Sequence, residues 1–154
     1  LKWIDGTQHI FLGEEDVSSE IRTPEMSMYA SKVSAHPAVR AFLLDRQRDF
    51  ARNGNVIMDG RDIGTVVLPD AKVKIFLTAS PEARAKRRYD ELVEKGMDVK
   101  YEDVLADMIK RDYDDSHRAI APLKQADDAV LADTSDITLE ESIALIIKII
   151  KDNI

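Results

Sequence analysis

The fold is decided by the stretch Val56-Ile57-Met58-Asp59-Gly60-Arg61-Asp62, in which three apolar residues lead into a charged segment around a glycine. Two further short apolar runs follow at 73–78 and 129–132, and the second ends in Asp133. Patterns typical of helices separate or follow these runs. Short buried strands interleaved with helices predict a parallel sheet with both faces covered, and therefore an α/β fold.

The residues before this stretch follow a different rhythm. Asp5-Gly6 is a favoured tight-turn pair between two apolar runs, so residues 1–21 are predicted to form a hairpin. Helices are predicted after it, the second of them over residues 36–54. We interpret residues 1–35 as a small inserted subdomain and residues 36–154 as the core domain.

Three helices are predicted in the second half of the chain. Ser80-Pro81 marks the start of a helix that runs to Gly96, and residues 101–118 carry apolar side chains on one face. Thr138 with Glu141 forms a capping box ahead of the last helix.

Composition narrows the possible functions. The 154 residues are 44% apolar, carry a net charge of −7 and include no cysteine. These values exclude a disulfide scaffold, thiol catalysis and a Cys-ligated zinc, and the sequence has no apolar run long enough to span a membrane. An acidic chain disfavours a nucleic acid polymer as partner, whereas locally clustered arginines suit a small anionic ligand. A cytoplasmic location is expected.

Asp59-Gly60-Arg61-Asp62 is the first candidate site segment. It lies where a strand is predicted to end, and parallel sheets bind ligands outside the carboxyl ends of their strands. A solvated turn with an internal Asp–Arg pair is the alternative. The apolar residues on both sides, including 63–68, favour a site over a simple turn.

Two arginine clusters lie in the predicted helices. Arg111, Asp115 and Arg118 follow the spacing i, i+4, i+7 and share one face, where they can present donors to a phosphate or a sugar. The second cluster, which suits a polyphosphate, consists of Arg84, Arg87 and Arg88. An ordinary salt-bridged surface is the alternative for both clusters, and for the first cluster taken alone it is the preferred one.

Ser31 and Arg40 flank a short Ser-Ala-His-Pro segment. A hydroxyl and a guanidinium can read the edge of a base, although helix capping by Ser34 or general solvation is the simpler explanation of the spacing. His36 has no second ligand at metal spacing, so no metal site is predicted.

In the order of these segments along the chain, the sequence resembles the bacterial cytidylate kinases. The segments that carry the resemblance are residues 31–40, 56–71 and 111–123, and residues 14–23 are similar to that family's insert. The resemblance as a whole extends over essentially all 154 residues. It implies the P-loop nucleoside monophosphate kinase fold, a three-layer α/β/α core that is incomplete at its N-terminus here. It also implies that residues 1–35 are a nucleoside-monophosphate-binding insert, and that a mobile lid lies at about 84–118.

The resemblance assigns roles to matching positions. Catalytic roles fall to Asp59, Arg61 and Arg111, with Asp59 near the magnesium and the phosphates. The resemblance assigns recognition of cytosine to Ser31, Arg40 and Asp62, and binding of the monophosphate to Arg61 and Arg111. Asp115 would bind the sugar hydroxyl, and Arg118 would brace Asp62 and Asp115 or the nucleotide. The lid residues Arg84, Arg87 and Arg88 would bind ATP.

The implied reaction transfers the γ-phosphoryl group of ATP to CMP or dCMP, with magnesium, in a monomer. One departure is large: the sequence has no Gly-x-x-x-x-Gly-Lys loop, which holds the ATP phosphates in the family. The family's strand before that loop lies between the counterparts of 56–58 and 73–78, so its absence would expose two strand edges. We therefore expect a longer natural chain; the alternatives are a catalytically silent CMP-binding fragment and a protein-interaction module.

Overall fold

A computed structural model describes residues 1–34 and 36–154, and the side chains of all of these except Pro24, Ser27 and Ser31. By their contacts the residues divide into two compact units, Leu1–Asn53 and Gly54–Ile154. Among the described residues, no helix combines the length and the apolar character of a membrane span. The assignment of residues 1–35 as a nucleotide-binding insert stays a prediction.

The first unit opens with two antiparallel hairpins. The first pairs β1 (Lys2–Ile4) with β2 (Thr7–His9), and the second pairs β3 (Phe11–Leu12) with β4 (Glu15–Asp16). The φ values of Asp5 and Gly6 are 50° and 78°, as a tight hairpin turn requires. The predicted Asp5-Gly6 hairpin is confirmed, and the following residues add a second one.

A short 3-10 helix, Glu20–Arg22, is followed by two α-helices, α1 (Pro24–Ser34) and α2 (Pro37–Arg52). Pro37 occupies the first turn of α2, where its missing N–H would have no partner in the helix. The N–H of Asn53 donates to the carbonyl of Asp49 at 3.1 Å and ends the helix at the predicted position.

The second unit contains a parallel sheet of two strands, β5 (Ile75–Thr78) and β6 (Val130–Asp133). Helices α3 (Pro81–Glu94) and α4 (Tyr101–His117) lie between these strands in the chain and pack on each other, and α5 (Leu139–Asn153) follows β6. Parallel strands joined through helices confirm the predicted α/β class.

The predicted strand at 56–58 is wrong. Residues 55–59 have no regular secondary structure, and Ile57 is 96% exposed. A strand needs a neighbour that satisfies its backbone N–H and C=O groups, and among the described residues the parallel sheet consists of β5 and β6 alone. An apolar run therefore predicts a strand only where the pairing partner is also present.

Local capping fixes the ends of the helices as predicted. The hydroxyl of Thr138 accepts from the N–H of Glu141 at 3.2 Å, and the Glu141 carboxylate accepts from the N–H of Thr138 at 2.8 Å. The hydroxyl of Ser80 accepts from the N–H of Ala83 at 3.1 Å at the start of α3. These caps begin α3 just beyond β5 and α5 just beyond β6, where the sheet ends.

Candidate functional site

The segment Asp59-Gly60-Arg61-Asp62 leads into a single π-helical turn, Ile63–Val67. The carbonyl of Asp62 accepts from the N–H groups of Val66 at 2.8 Å and Val67 at 3.1 Å, and Val67 is buried. A Cβ atom at Gly60 would lie 2.9 Å from Cγ1 of Ile63, so the close packing here requires glycine. The charged residues therefore lie directly before a turn that hydrogen bonds and the buried Val67 hold in place. Single π-helical turns of this kind are frequent at functional sites.

Arg61 and Asp115 lie 54 residues apart in the sequence and meet in the structure. The Nε–H of Arg61 donates to Oδ2 of Asp115 at 2.9 Å, and the two side chains are 40% and 21% exposed. This charge-assisted bond orients the guanidinium, which carries four further N–H groups for an anion. Two of the four candidate groups of the sequence thus meet in the structure.

Arg118 makes a second, looser contact with the same segment. Its Nη2 lies 3.9 Å from Oδ1 of Asp62, whose side chain is 14% exposed, and its Nε–H donates to the carbonyl of Ala121 at 2.5 Å. Among the described residues, Nη2 is a buried atom without a hydrogen-bond partner. The nearby carboxylate of Asp62 offsets part of the cost of burying this donor.

After Arg118 the chain turns back toward the C-terminal end of α4. The N–H of Leu123 donates to the carbonyl of Asp115 at 2.8 Å, and Ala121 has a φ of 49°. Residues 119–123 thus form a turn that contacts the backbone of Asp115 and the side chain of Arg118. Arg111 is exposed one turn earlier on α4, at the spacing predicted for a shared face.

The three arginines of α3 have three different partners. Arg84 reaches Asp112 on α4, Arg87 donates to the carbonyl of Thr134, and Arg88 donates to Glu91 at 2.8 Å. The contact between Arg88 and Glu91 is an ordinary surface salt bridge of the kind that the alternative explanation of this cluster predicts. The role of the three residues toward ATP stays a prediction.

Asp112 was not part of the predicted site. The Nη1 and Nη2 groups of Arg84 donate to its two carboxylate oxygens at 2.8 and 2.5 Å, and this hydrogen bonding holds the pKa of Asp112 below its usual range, against the opposing effect of burial. The pairing depends on how α3 packs on α4, which no local sequence pattern reveals.

Asp59 is exposed and borders a cavity of about 170 Å³ together with Arg61, Lys74 and Leu123. Lys74 is held by the Asp128 carboxylate at 2.6 Å. In the first unit, Arg40 is half-buried on α2, whereas the predicted base reader Ser31 has a side chain outside the described residues.

Arginines and carboxylates thus meet near the carboxyl end of β5, in an α/β unit with a parallel sheet. The family model for cytidylate kinase matches residues 2–152. The chain belongs to the cytidylate kinase family, as the sequence resemblance predicted.

Individual relatives agree with the family model. The cytidylate kinase of Thermosipho melanesiensis is 53% identical over 94% of this chain and 66% of its own length. The cytidylate kinase of Caldanaerobacter subterraneus subsp. tengcongensis is 53% identical over 97% of this chain and 66% of its own length. That of Streptococcus equi subsp. equi is 51% identical over 94% of this chain and 64% of its own length. The chain thus spans just under two thirds of the length of these curated relatives.

Proposed function

We propose that this chain supplies the CMP site and the lid of an enzyme that transfers the γ-phosphoryl group of ATP to CMP or dCMP, giving CDP or dCDP and ADP. The 2.9 Å bond between Arg61 and Asp115 carries the proposal, because it joins the Asp-Gly-Arg-Asp segment to the arginine-bearing end of α4. Membership of the cytidylate kinase family supports the reaction class.

Phosphoryl transfer asks a protein mainly for positioning and for stabilisation of charge. The forked guanidinium groups of Arg61 and Arg111 match the oxygens of a monophosphate, and Asp115 orients Arg61 for that contact. In this proposal Asp115 also accepts from a sugar hydroxyl through its remaining lone pairs.

Asp62 is the proposed reader of the cytosine base. Its largely buried carboxylate accepts from the exocyclic amine of cytosine, whereas the corresponding carbonyl of uracil would place two acceptors against each other. Arg118 braces Asp62 from 3.9 Å. Ser31 and Arg40 stay predicted base readers on the strength of the family resemblance.

ATP with Mg²⁺ is the proposed phosphoryl donor, and the metal would neutralise charge that develops on the transferred group. Among residues 1–34 and 36–154, no three side chains of His, Cys, Asp and Glu converge to hold a metal. Proteins often bind Mg²⁺ through one or two carboxylates plus substrate phosphates. By the family resemblance, Asp59 would lie near that magnesium and the phosphates without ligating the metal directly.

The test combines turnover with binding on the chain as it stands. ADP release is followed with ATP and each of CMP, dCMP, UMP and AMP, and CMP binding is measured without ATP by isothermal titration calorimetry. Turnover with CMP and dCMP above the other two supports the proposal. CMP binding without turnover supports the second candidate, a silent CMP-binding fragment, which the lack of a Gly-x-x-x-x-Gly-Lys motif favours. Absence of CMP binding overturns both.

A further inference from the structure

The ion pair between Arg84 and Asp112 ties three elements of the second unit together. Both Nη groups of Arg84 donate to Asp112 on α4, and its Nε–H donates at 2.9 Å to the carbonyl of Ala79, directly after β5. The side chains of Arg84 and Asp112 are 32% and 33% exposed, so the pair is partly withdrawn from water. A two-point contact between planar groups fixes orientation as well as distance.

We propose that Asp112 is a positioning residue: by holding Arg84 it fixes the C-terminal half of α4 against the end of β5, and so sets the place from which Arg111 meets the monophosphate of CMP. This inference rests on the proposed CMP site. It changes the expectation for Arg84, because the edge of its guanidinium that would grip an ATP phosphate in bidentate fashion is taken by Asp112.

Asp112 is well placed for this role because Arg111 is the next residue along the chain. A shift or rotation of α4 at Asp112 moves Arg111 with it, since both belong to one helix. The pKa of Asp112 is also lowered by the charges of Arg111 and Arg61, after the larger effect of its hydrogen bond to Arg84. The carboxylate thus lies within the field of all three arginines.

Charge and position make opposite predictions for the loss of this carboxylate. Asp112→Asn removes a negative charge from an anion site, so long-range attraction alone would tighten CMP binding. If Asp112 positions Arg111, the same change weakens CMP binding, because the phosphate loses an aligned donor. The sign of the effect therefore separates the two explanations.

The test is a double-mutant cycle with Asp112→Asn, Arg84→Gln and the double variant, with the Kd of CMP and of cytidine measured by isothermal titration calorimetry. Each single change is expected to raise the Kd of CMP about fivefold to tenfold, and the double change no further, because both remove one interaction. Cytidine carries no phosphate, so its Kd stays constant. Asp112→Glu should restore part of the CMP affinity, and Asp98→Asn, an exposed change in the loop between α3 and α4, should leave it unchanged.

Amide hydrogen exchange gives a second readout that needs no ligand. Asp112→Asn is expected to speed exchange at 111–117 and to leave 143–150 in α5 unchanged. If the wild-type chain binds no CMP, the proposed function fails, and exchange at 111–117 still decides whether the pair holds α4. Unchanged exchange, tighter CMP binding, or an equal loss for CMP and cytidine would overturn the inference. If Asp112→Asn does not fold, Asp112→Glu and Arg84→Lys take its place in both measurements.

Discussion

Replacement of Asp62 by asparagine tests the base-reading role directly. The variant keeps the shape of the side chain, and it leaves the backbone carbonyl that anchors the turn at Val66 and Val67. It removes the negative charge and replaces one acceptor oxygen by an NH₂ donor. An amide can accept from the amine of cytosine or donate to the carbonyl of uracil, so the preference for CMP over UMP should shrink.

The size of the effect follows from the burial of the carboxylate. Asp62 is 14% exposed, so its hydrogen bond to the cytosine amine would form largely away from water. A hydrogen bond to a charged group contributes about 1.5–3 kcal/mol, which corresponds to about 10- to 150-fold in Kd. We expect the ratio of UMP to CMP dissociation constants to fall by a factor in this range.

The assay is isothermal titration calorimetry with CMP and UMP for the wild type, Asp62→Asn and Asp62→Ala. Asp70→Asn is the matched control, since it makes the same change of charge at an exposed position of the same segment. An unchanged ratio of the UMP and CMP dissociation constants, whether or not both affinities fall, would refute the role of Asp62 as base reader.

Three further outcomes are expected. Thr138→Ala removes the capping box of α5 and should lower the free energy of unfolding by about 1 kcal/mol in a denaturant titration, with no change in the m-value. The pKa of Asp16 is lowered to about 2, first by the hydrogen bond from Ser18. The stability that this carboxylate gives to the second hairpin is therefore present above pH 3.8 and is lost as the pH falls toward 2. The ¹³C resonance of the Asp16 carboxyl should titrate with a midpoint near pH 2. Asp115→Asn should raise the Kd of CMP about threefold to tenfold in calorimetry, because Arg61 loses its orienting acceptor and is itself partly exposed.

The features that the sequence predicted correctly are those set by neighbours in the chain. The Asp5-Gly6 turn and the Thr138 cap depend on residues within a few positions, and both formed as expected. The apolar run 56–58 failed as a strand because strand formation depends on a partner from elsewhere, which no local pattern supplies.

The same distinction between local and distant interactions applies to the residues of the candidate site. The spacing placed Arg111 and Asp115 correctly one turn apart on α4, since the helical period is local. Arg118 lies just beyond the helix in an extended conformation, so its predicted place on the same helical face is wrong. Contacts between segments distant in the sequence, such as Arg84 with Asp112, became visible only with the packing of α3 on α4. Residue type and spacing thus identified the candidates, whereas tertiary packing decided which of them meet.

Helix α4 emerges as the element that organises the proposed site. Asp112 and Asp115 lie three residues apart on one face of α4, and each holds an arginine from another part of the chain. These two carboxylates offset two guanidinium charges before any phosphate arrives, which matters in a chain whose net charge is −7. Loss of either carboxylate makes the site more positive and yet should weaken CMP binding, because aligned donors contribute more to recognition of a phosphate than added charge. A rise in CMP affinity at low salt for both variants would show instead that charge dominates this site.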